Sequence, residues 1–339
     1  MSVRRINLAL QGGGAHGAFT WGVLDRLLED ESIEIAAISG TSAGALNGAA
    51  LKAGLITGGR QGARDNLDWL WGEVAGVPDM DVADWAARFA PSNQVFSTLL
   101  ELSPVFLALD AATRAISPYA MGAALENPLR RIVDRLRFDC VCSAEGPALF
   151  VGATNVRSGK IRVFQGDGIT TDAILASACL PTLFRAVEID GEAYWDGGYT
   201  GNPALFPLYD KALPADIVVV NINPLERAAL PRSAQDIANR INEISFNSSL
   251  LRELRAVRFV QRLLDEGTLA AGGMKRVLIH MIADDPLMND LGVATKTIAT
   301  PVVISRLRAT GRAAATRFLD AHGAALNHRD TVDLGEMFG

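Results

Sequence analysis

The chain has 339 residues, 49% apolar and 21% charged, enough to bury one large core or two smaller ones. A net charge of −6 and the lack of any Lys/Arg block argue against a general nucleic-acid binder and against a polybasic membrane anchor. The three cysteines, Cys140, Cys142 and Cys179, have neither metal-type nor redox spacing and are expected to be buried thiols.

At the N-terminus, Arg4 and Arg5 are followed by only Ile6–Leu10 before a run of glycines, too short an apolar stretch for a secretory leader. No uncharged stretch reaches the length of a membrane span, so the expected location is cytoplasmic, peripheral to the inner membrane face at most. Ile6–Leu10 reads as a buried strand, and Ala18–Leu28 as a helix with Phe19, Val23 and Leu27 on one face. Between them Gly12, Gly14 and Gly17 fit the dinucleotide fingerprint G-x-G-x-x-G, with His16, one of four histidines, lodged inside it. Ile33–Ser39 is a second strand, followed at once by GTSAG and a small-residue helix, Ala43–Ala53. Further strands are expected at Ala148–Thr154, Ile161–Phe164, Glu192–Trp195, Ile217–Asn221 and Val277–Ile282, with helices such as Pro128–Leu136 and Asp172–Ala178 between them. Strand alternating with helix predicts an α/β fold with a mostly parallel sheet covered on both faces.

Two regions break the alternation. Residues 60–126 read as a helical insert, and from Phe89 to Leu125 only Glu101, Asp110 and Arg114 are charged. Such a segment is expected to be core, with a lid or lipid-facing role as the alternative. Residues 231–266 carry an amphipathic pattern through Ile237, Ile241, Ile244, Leu250, Leu251, Leu254 and Val257. Arg252, Arg255, Arg258 and Arg262 are expected to form its solvated face.

Gly40-Thr41-Ser42-Ala43-Gly44 is G-x-S-x-G at a strand-to-helix junction, the context a nucleophile elbow requires. Tiny residues two before and two after Ser42 let neighbouring backbone approach the turn. The following helix N-terminus would favour a developing oxyanion. Histidine is the usual base for such a serine. His322 and His328 fall in the C-terminal helical tail, and His280 sits in the strand pattern VLIHMI; a triad Ser42–Asp196–His280 is one reading. Asp196, which ends a short strand and precedes Gly197 and Gly198, is the leading alternative as a carboxylate base.

Taken together, QGGGAHGAF, GTSAG and WDGGYTGNP resemble the patatin-like phospholipase family of lipid acyl hydrolases, in the family's order at residues 12–17, 40–44 and 196–198. The stretches VGATNVRSGKIRVF and ILASACLPTLFRAVEIDGEAYWDGG are similar too, and the resemblance covers about residues 5–225. It implies a three-layer α/β/α sandwich, a Ser42–Asp196 dyad, and an oxyanion hole from the backbone of Gly12, Gly13 and Gly14. Gly17, Gly40, Gly44, Gly197 and Gly198 then serve the turns. It also implies a lipid ester substrate, an acyl-Ser42 intermediate, no cofactor and no metal; peripheral contact with a membrane fits it, nucleic acid does not. The expected organisation is a catalytic domain at 1–225 carrying the insert, and a helical extension at 226–339 packed on it. Two departures stand out: His16 occupies a position usually basic in the family, and Cys179 and Thr182 stand where smaller residues are common.

Two rival readings remain at this level. A dinucleotide-binding oxidoreductase would need an acidic residue ending the second strand, where Ile38-Ser39-Gly40 stands instead. A non-catalytic lipid-binding scaffold would keep the fold and lose the labelling of Ser42.

Overall fold

The computed structural model describes residues 3–77, 80–120, 127–227, 230–270 and 272–338, without the side chains of Asp81, Leu109, Arg114 and Gln235. The tail of the expected insert, residues 121–126, lies outside the described residues. The strands are β1 (Arg4–Leu10), β2 (Ile33–Thr41), β3 (Ala148–Asn155), β4 (Ile161–Gln165), β5 (Val187–Ile189), β6 (Glu192–Asp196), β7 (Asp216–Val220) and β8 (Leu278–Ile282). They form one sheet in the order β5-β6-β3-β2-β1-β7-β8, with β4 on β3. The run β3-β2-β1-β7-β8 is parallel, and β4, β5 and β6 are antiparallel additions at one end.

The helices are α1 (Gly17–Leu27), α2 (Ala43–Ala75), α3 (Met80–Ala87), α4 (Asn93–Glu101), α5 (Pro104–Ala115), α6 (Arg130–Val133), α7 (Phe138–Val141), α8 (Thr171–Ser177), α9 (Ala234–Asp265), α10 (Asp285–Asp290), α11 (Val293–Thr297), α12 (Pro301–His322) and α13 (Leu334–Phe338). Every residue of β7 is buried, as a central parallel strand requires. Its side chains alternate between two cores: Val218 and Val220 pack with α1, α2 and α12, while Ile217 and Val219 pack with Leu250, Leu254 and Val257 of α9. The sheet is thus covered on both faces by helices. Residues beyond 226 supply β8, α9 and α12, and so complete both the sheet and its two cores.

Several expectations change. The helix after Ser42 runs on to Ala75, broken at Gly58 and Gly59, where φ of +61° at Gly59 is tolerated only for want of a side chain. Only Arg130–Val133 of the expected helix 128–136 is regular, and β5 carried no signal in its three residues. The insert is core only in its first part, through Ala63, Leu67, Leu70, Trp71, Met80 and Ala83; the sparsely charged segment from Phe89 is not. Phe106 is buried, but Phe89, Val95, Leu99, Leu102, Val105, Leu107, Ile116 and Tyr119 are exposed. The stripe on α9 divides: Leu250, Leu254 and Val257 are buried, whereas Ile237, Ile241 and Ile244 are exposed. No disulfide joins the cysteines; Cys140 and Cys179 are buried and Cys142 is half-buried. Burial pushes the Cys179 thiol up to about 12, the mark of an unreactive core thiol.

Candidate active site

The register of β3 brings the serine and the aspartate together. One edge of β3 is taken by β4 from Phe150 to Thr154, so β2 and β6 must share the other. On that shared edge Thr41 pairs with Gly152, and Asp196 pairs with the next residue, Ala153. Ser42 leaves β2 at the point where Asp196 ends β6. A Cβ at Gly197 would lie 2.2 Å from the Gly152 carbonyl oxygen and 2.9 Å from Thr41 Cγ2, so only glycine lets the two turns come this close.

Ser42 itself is strained. Its φ of +55° and ψ of −121° place a non-glycine residue where L side chains are rare, in the turn between β2 and α2. A Cβ at Gly44 would meet the Leu10 carbonyl oxygen at 2.1 Å, and one at Gly40 the Gly44 carbonyl oxygen at 2.5 Å. The turn is held by the Ser42 N–H donating to Ser177 Oγ at 2.9 Å, and by the Thr41 hydroxyl donating to the Gly201 carbonyl at 2.7 Å. The glycine-rich loop presses on the same residue: a Cβ at Gly12 would lie 2.6 Å from Ser42 Cβ, and one at Gly17 2.5 Å from Ala43 Cβ.

Buried amides fix that loop. The Gly12 N–H donates to Asn202 Oδ1 at 2.6 Å, and the Gly12 carbonyl accepts from Asn223 Nδ2 at 2.8 Å. Gln11 Oε1 accepts from the N–H groups of Ile222 and Asn223, and Gln11 Nε2 donates to Asn247 Oδ1. The Gly12 N–H is therefore already engaged. The N–H groups of Gly13 and Gly14 donate no hydrogen bond among the described residues. Gln11, Asn202, Asn223 and Asn247 were not singled out in the sequence. The available signal is weak: Gln11 directly follows the buried strand β1, and Asn223 and Asn202 lie a few residues past β7 and the D-G-G turn.

Asp196 is 1% exposed. Burial pushes its carboxyl from the usual 3.8 up to about 7, against the opposing pull of the Gly198 N–H and, less strongly, of the neighbouring Ser42 hydroxyl. The Gly198 N–H donates to Asp196 Oδ1 at 2.8 Å, and the Asp196 N–H donates to the Cys179 carbonyl at 2.8 Å. A carboxylate so placed is a far stronger proton acceptor than one in water, poised near neutral pH.

Neither candidate histidine is turned to Ser42. His280 Nε2 is 2.9 Å from Asp216 Oδ1, and His280 Nδ1 is 3.1 Å from Thr331 Oγ1, so both nitrogens are spent on partners at the middle of β8. The triad with Asp196 as the orienting acid is overturned, because the acid that holds His280 is Asp216. Replacing His280 by Ala is expected to cost about 1–3 kcal/mol of stability by leaving Asp216 short of a buried partner. The folded variant should still react at Ser42 at the wild-type rate, as measured by labelling alongside thermal melting. His16 is fully buried, and its Nε2 meets Thr295 Oγ1 at 2.9 Å. The Thr295 hydroxyl donates to the Gly292 carbonyl, so it accepts from His16 Nε2–H, and Nδ1 carries no proton. Burial, and then the charge of Lys296, lowers the His16 pKa well below 6.5 and keeps the ring neutral.

The charge beside the loop comes from elsewhere. A Cβ at Gly14 would lie 2.3 Å from the Lys296 carbonyl oxygen, so α11 backs the loop directly. Lys296 Nζ reaches the buried Glu243 Oε1 at 3.2 Å, and Arg227 grips the same carboxylate through Nε at 2.8 Å and Nη2 at 2.7 Å. Arg240 adds a fourth member at 3.3 Å. Burial raises Glu243, but the Arg227 bonds and the Lys296 charge outweigh it and hold the carboxyl at about 2. Among the described residues no three His, Cys, Asp or Glu side chains converge as a metal site would require.

The sequence model of the patatin-like phospholipases matches residues 8–209, more than half of the chain. The chain belongs to the patatin-like phospholipase family. That match contains the glycine-rich loop, the Ser42 turn and Asp196. Among solved structures, the patatin-like chain is similar to VipD from Legionella pneumophila, at 17% identity and a TM-score of 0.43, over 94% of this chain and 67% of VipD. It is also similar to the ExoU–SpcU heterodimeric complex of the Pseudomonas aeruginosa type III secretion system, at 15% identity and a TM-score of 0.32, over 96% of this chain and 61% of that one. No curated protein matches. In this patatin-like fold the dinucleotide reading of the glycines loses its crevice, because Ser42 Cβ and the Thr41 carbonyl crowd Gly12.

Proposed function

We propose that the protein is a serine lipid acyl hydrolase of the phospholipase A or esterase type, working through a Ser42–Asp196 dyad. The observation that carries the reading is a strained serine, at φ of +55°, at the point where a buried carboxyl, pushed up to about 7 by burial, ends the neighbouring strand. Asp196 takes the Ser42 proton as Oγ adds to the ester carbonyl, and the oxygen that becomes negative meets the N–H groups of Gly13 and Gly14. Each such donor contributes about 2.7–4 kcal/mol in comparable sites. Asp196 returns its proton to the leaving alcohol, and an acyl-Ser42 remains. The carboxylate then activates the water that releases the acid. A carboxylate needs no third residue to fix a tautomer, so the engagement of both histidines elsewhere leaves the dyad complete.

A fluorophosphonate probe tests the reading. Wild-type protein should label at Ser42, and a lipid panel read by mass spectrometry should show free fatty acid from wild type and none from Ser42→Ala. A folded wild-type protein that neither labels nor releases acid would sink the proposal and leave a lipid-binding scaffold.

A further inference from the structure

Three helical stretches carry apolar stripes toward solvent. Val82, Trp85 and Phe89 on α3 and the turn after it, Val95, Leu99 and Leu102 on α4, and Ile237, Ile241 and Ile244 on α9 each follow the spacing of one helix face. All nine are exposed, from 43% at Ile237 to 76% at Phe89. Exposed Val105, Leu107, Ile116 and Tyr119 extend the array along α5 and beyond. Single exposed apolar residues are ordinary, but an array of this extent marks a contact surface.

The array is fastened to both halves of the active site. On one side the Gly292 N–H donates to Ser97 Oγ of α4, and Gly292 leads into α11, which backs Gly14. On the other, Arg185 Nη2 donates to the Tyr119 carbonyl and the Ala186 N–H to Tyr119 Oη. Those residues follow Cys179, whose carbonyl holds the Asp196 N–H. The exposed stripe of α9 lies close by, because Phe246 packs against Gly198 and Tyr199, and Asp236 adds to the burial that raises Glu101 of α4.

We propose that this array docks on a bilayer surface of neutral headgroups and presents the Ser42–Asp196 site to the lipid, an inference that rests on the hydrolase reading above. Helices α4 and the stretch Pro104–Thr113 together have the hydropathy and sparse charge of a membrane segment, yet they are bent by 51°. Each is far short of the ~20 residues a span needs, so they suit the interface rather than a crossing. Trp85 and Tyr119 are side chains that favour headgroup level, and Phe89 suits the acyl boundary beneath it. Glu101 and Asp236 stand beside the array together with the exposed Arg88 and Arg185, so the charges are of mixed sign and docking comes from apolar insertion and not from charge capture.

Flotation of the full chain with phosphatidylcholine vesicles, together with fluorophosphonate labelling in solution, tests the proposal. Wild type should float equally at low and high salt. The variant Val95→Asp/Leu99→Asp/Leu102→Asp should partition about tenfold less or worse while labelling at the wild-type rate. A triple variant that floats like wild type overturns the proposal. So does flotation that requires anionic lipid, or a wild-type dimer that the triple variant converts to monomer. Failure of the hydrolase reading would show separately, as absence of labelling in both proteins whatever their flotation.

Discussion

Replacing Asp196 by Asn is expected to lower kcat/KM for a soluble ester by about 10²–10⁴-fold, the usual worth of a positioned general base. The amide keeps an oxygen to accept from the Gly198 N–H, so the turn survives and the loss is one of chemistry. Wild-type kcat/KM should fall as pH drops through about 7, because protonation of Asp196 removes the acceptor for the Ser42 proton. A rate flat between pH 5 and 8, or an Asn variant close to wild type, would remove Asp196 from the chemistry.

The same substitution carries a stability signature of opposite sign. Asp196 holds its proton more tightly folded than unfolded, so the wild-type fold loses stability as pH rises from about 3.8 to about 7, and no further loss follows above that. The rise corresponds to about 4 kcal/mol at most. Asp196→Asn escapes it and should melt higher than wild type at pH 8, with the gap closing toward pH 4. An inactive variant that is the more stable protein is the pattern expected of a residue kept for reaction at a cost to the fold.

What the sequence made legible depends on how local each feature is. The Ser42 turn was readable because strand, serine, glycines and helix lie within a dozen residues, and each is required by the others. Asp196 was harder: nothing near it separates a base from an ordinary turn aspartate until Gly152 and Ala153 of β3 place it beside Thr41. The surroundings of His280 in sequence do not decide its role; what decides against it is Asp216, in a different strand. Asn202 and Asn223 converge on Gly12, and Asn247 on the adjoining Gln11, from three separate segments with no spacing to betray them. The segment from Phe89 onward differs from its expectation for another reason. Composition reports how much apolar surface a segment has but not which way it faces, and α3 and α4 turn theirs outward.

Glu243 offers the second large effect, because Arg227, Arg240 and Lys296 all share it and it is 1% exposed. Glu243→Gln preserves the shape and some hydrogen bonding but leaves three cations around a neutral group. Removing one partner of a buried ion pair costs about 3–5 kcal/mol, limited here by the ease with which Lys296 sheds its proton, since burial already lowers its pKa. Wild-type Glu243 has its pKa depressed to about 2, so its contribution is complete above about 4.5 and fades as pH falls toward 2. The stability gap between wild type and Glu243→Gln should therefore be widest near neutral pH and shrink on acidification, in denaturant titrations. Lys296→Met in the Glu243→Gln background should recover part of the loss, since it removes a cation left without its counter-charge. Because the Lys296 backbone abuts Gly14, folded Glu243→Gln should also label more slowly at Ser42, through displaced Gly13 and Gly14 donors. A Gln variant as stable as wild type, labelling at the same rate, would show that the cluster neither holds the fold nor sets the loop.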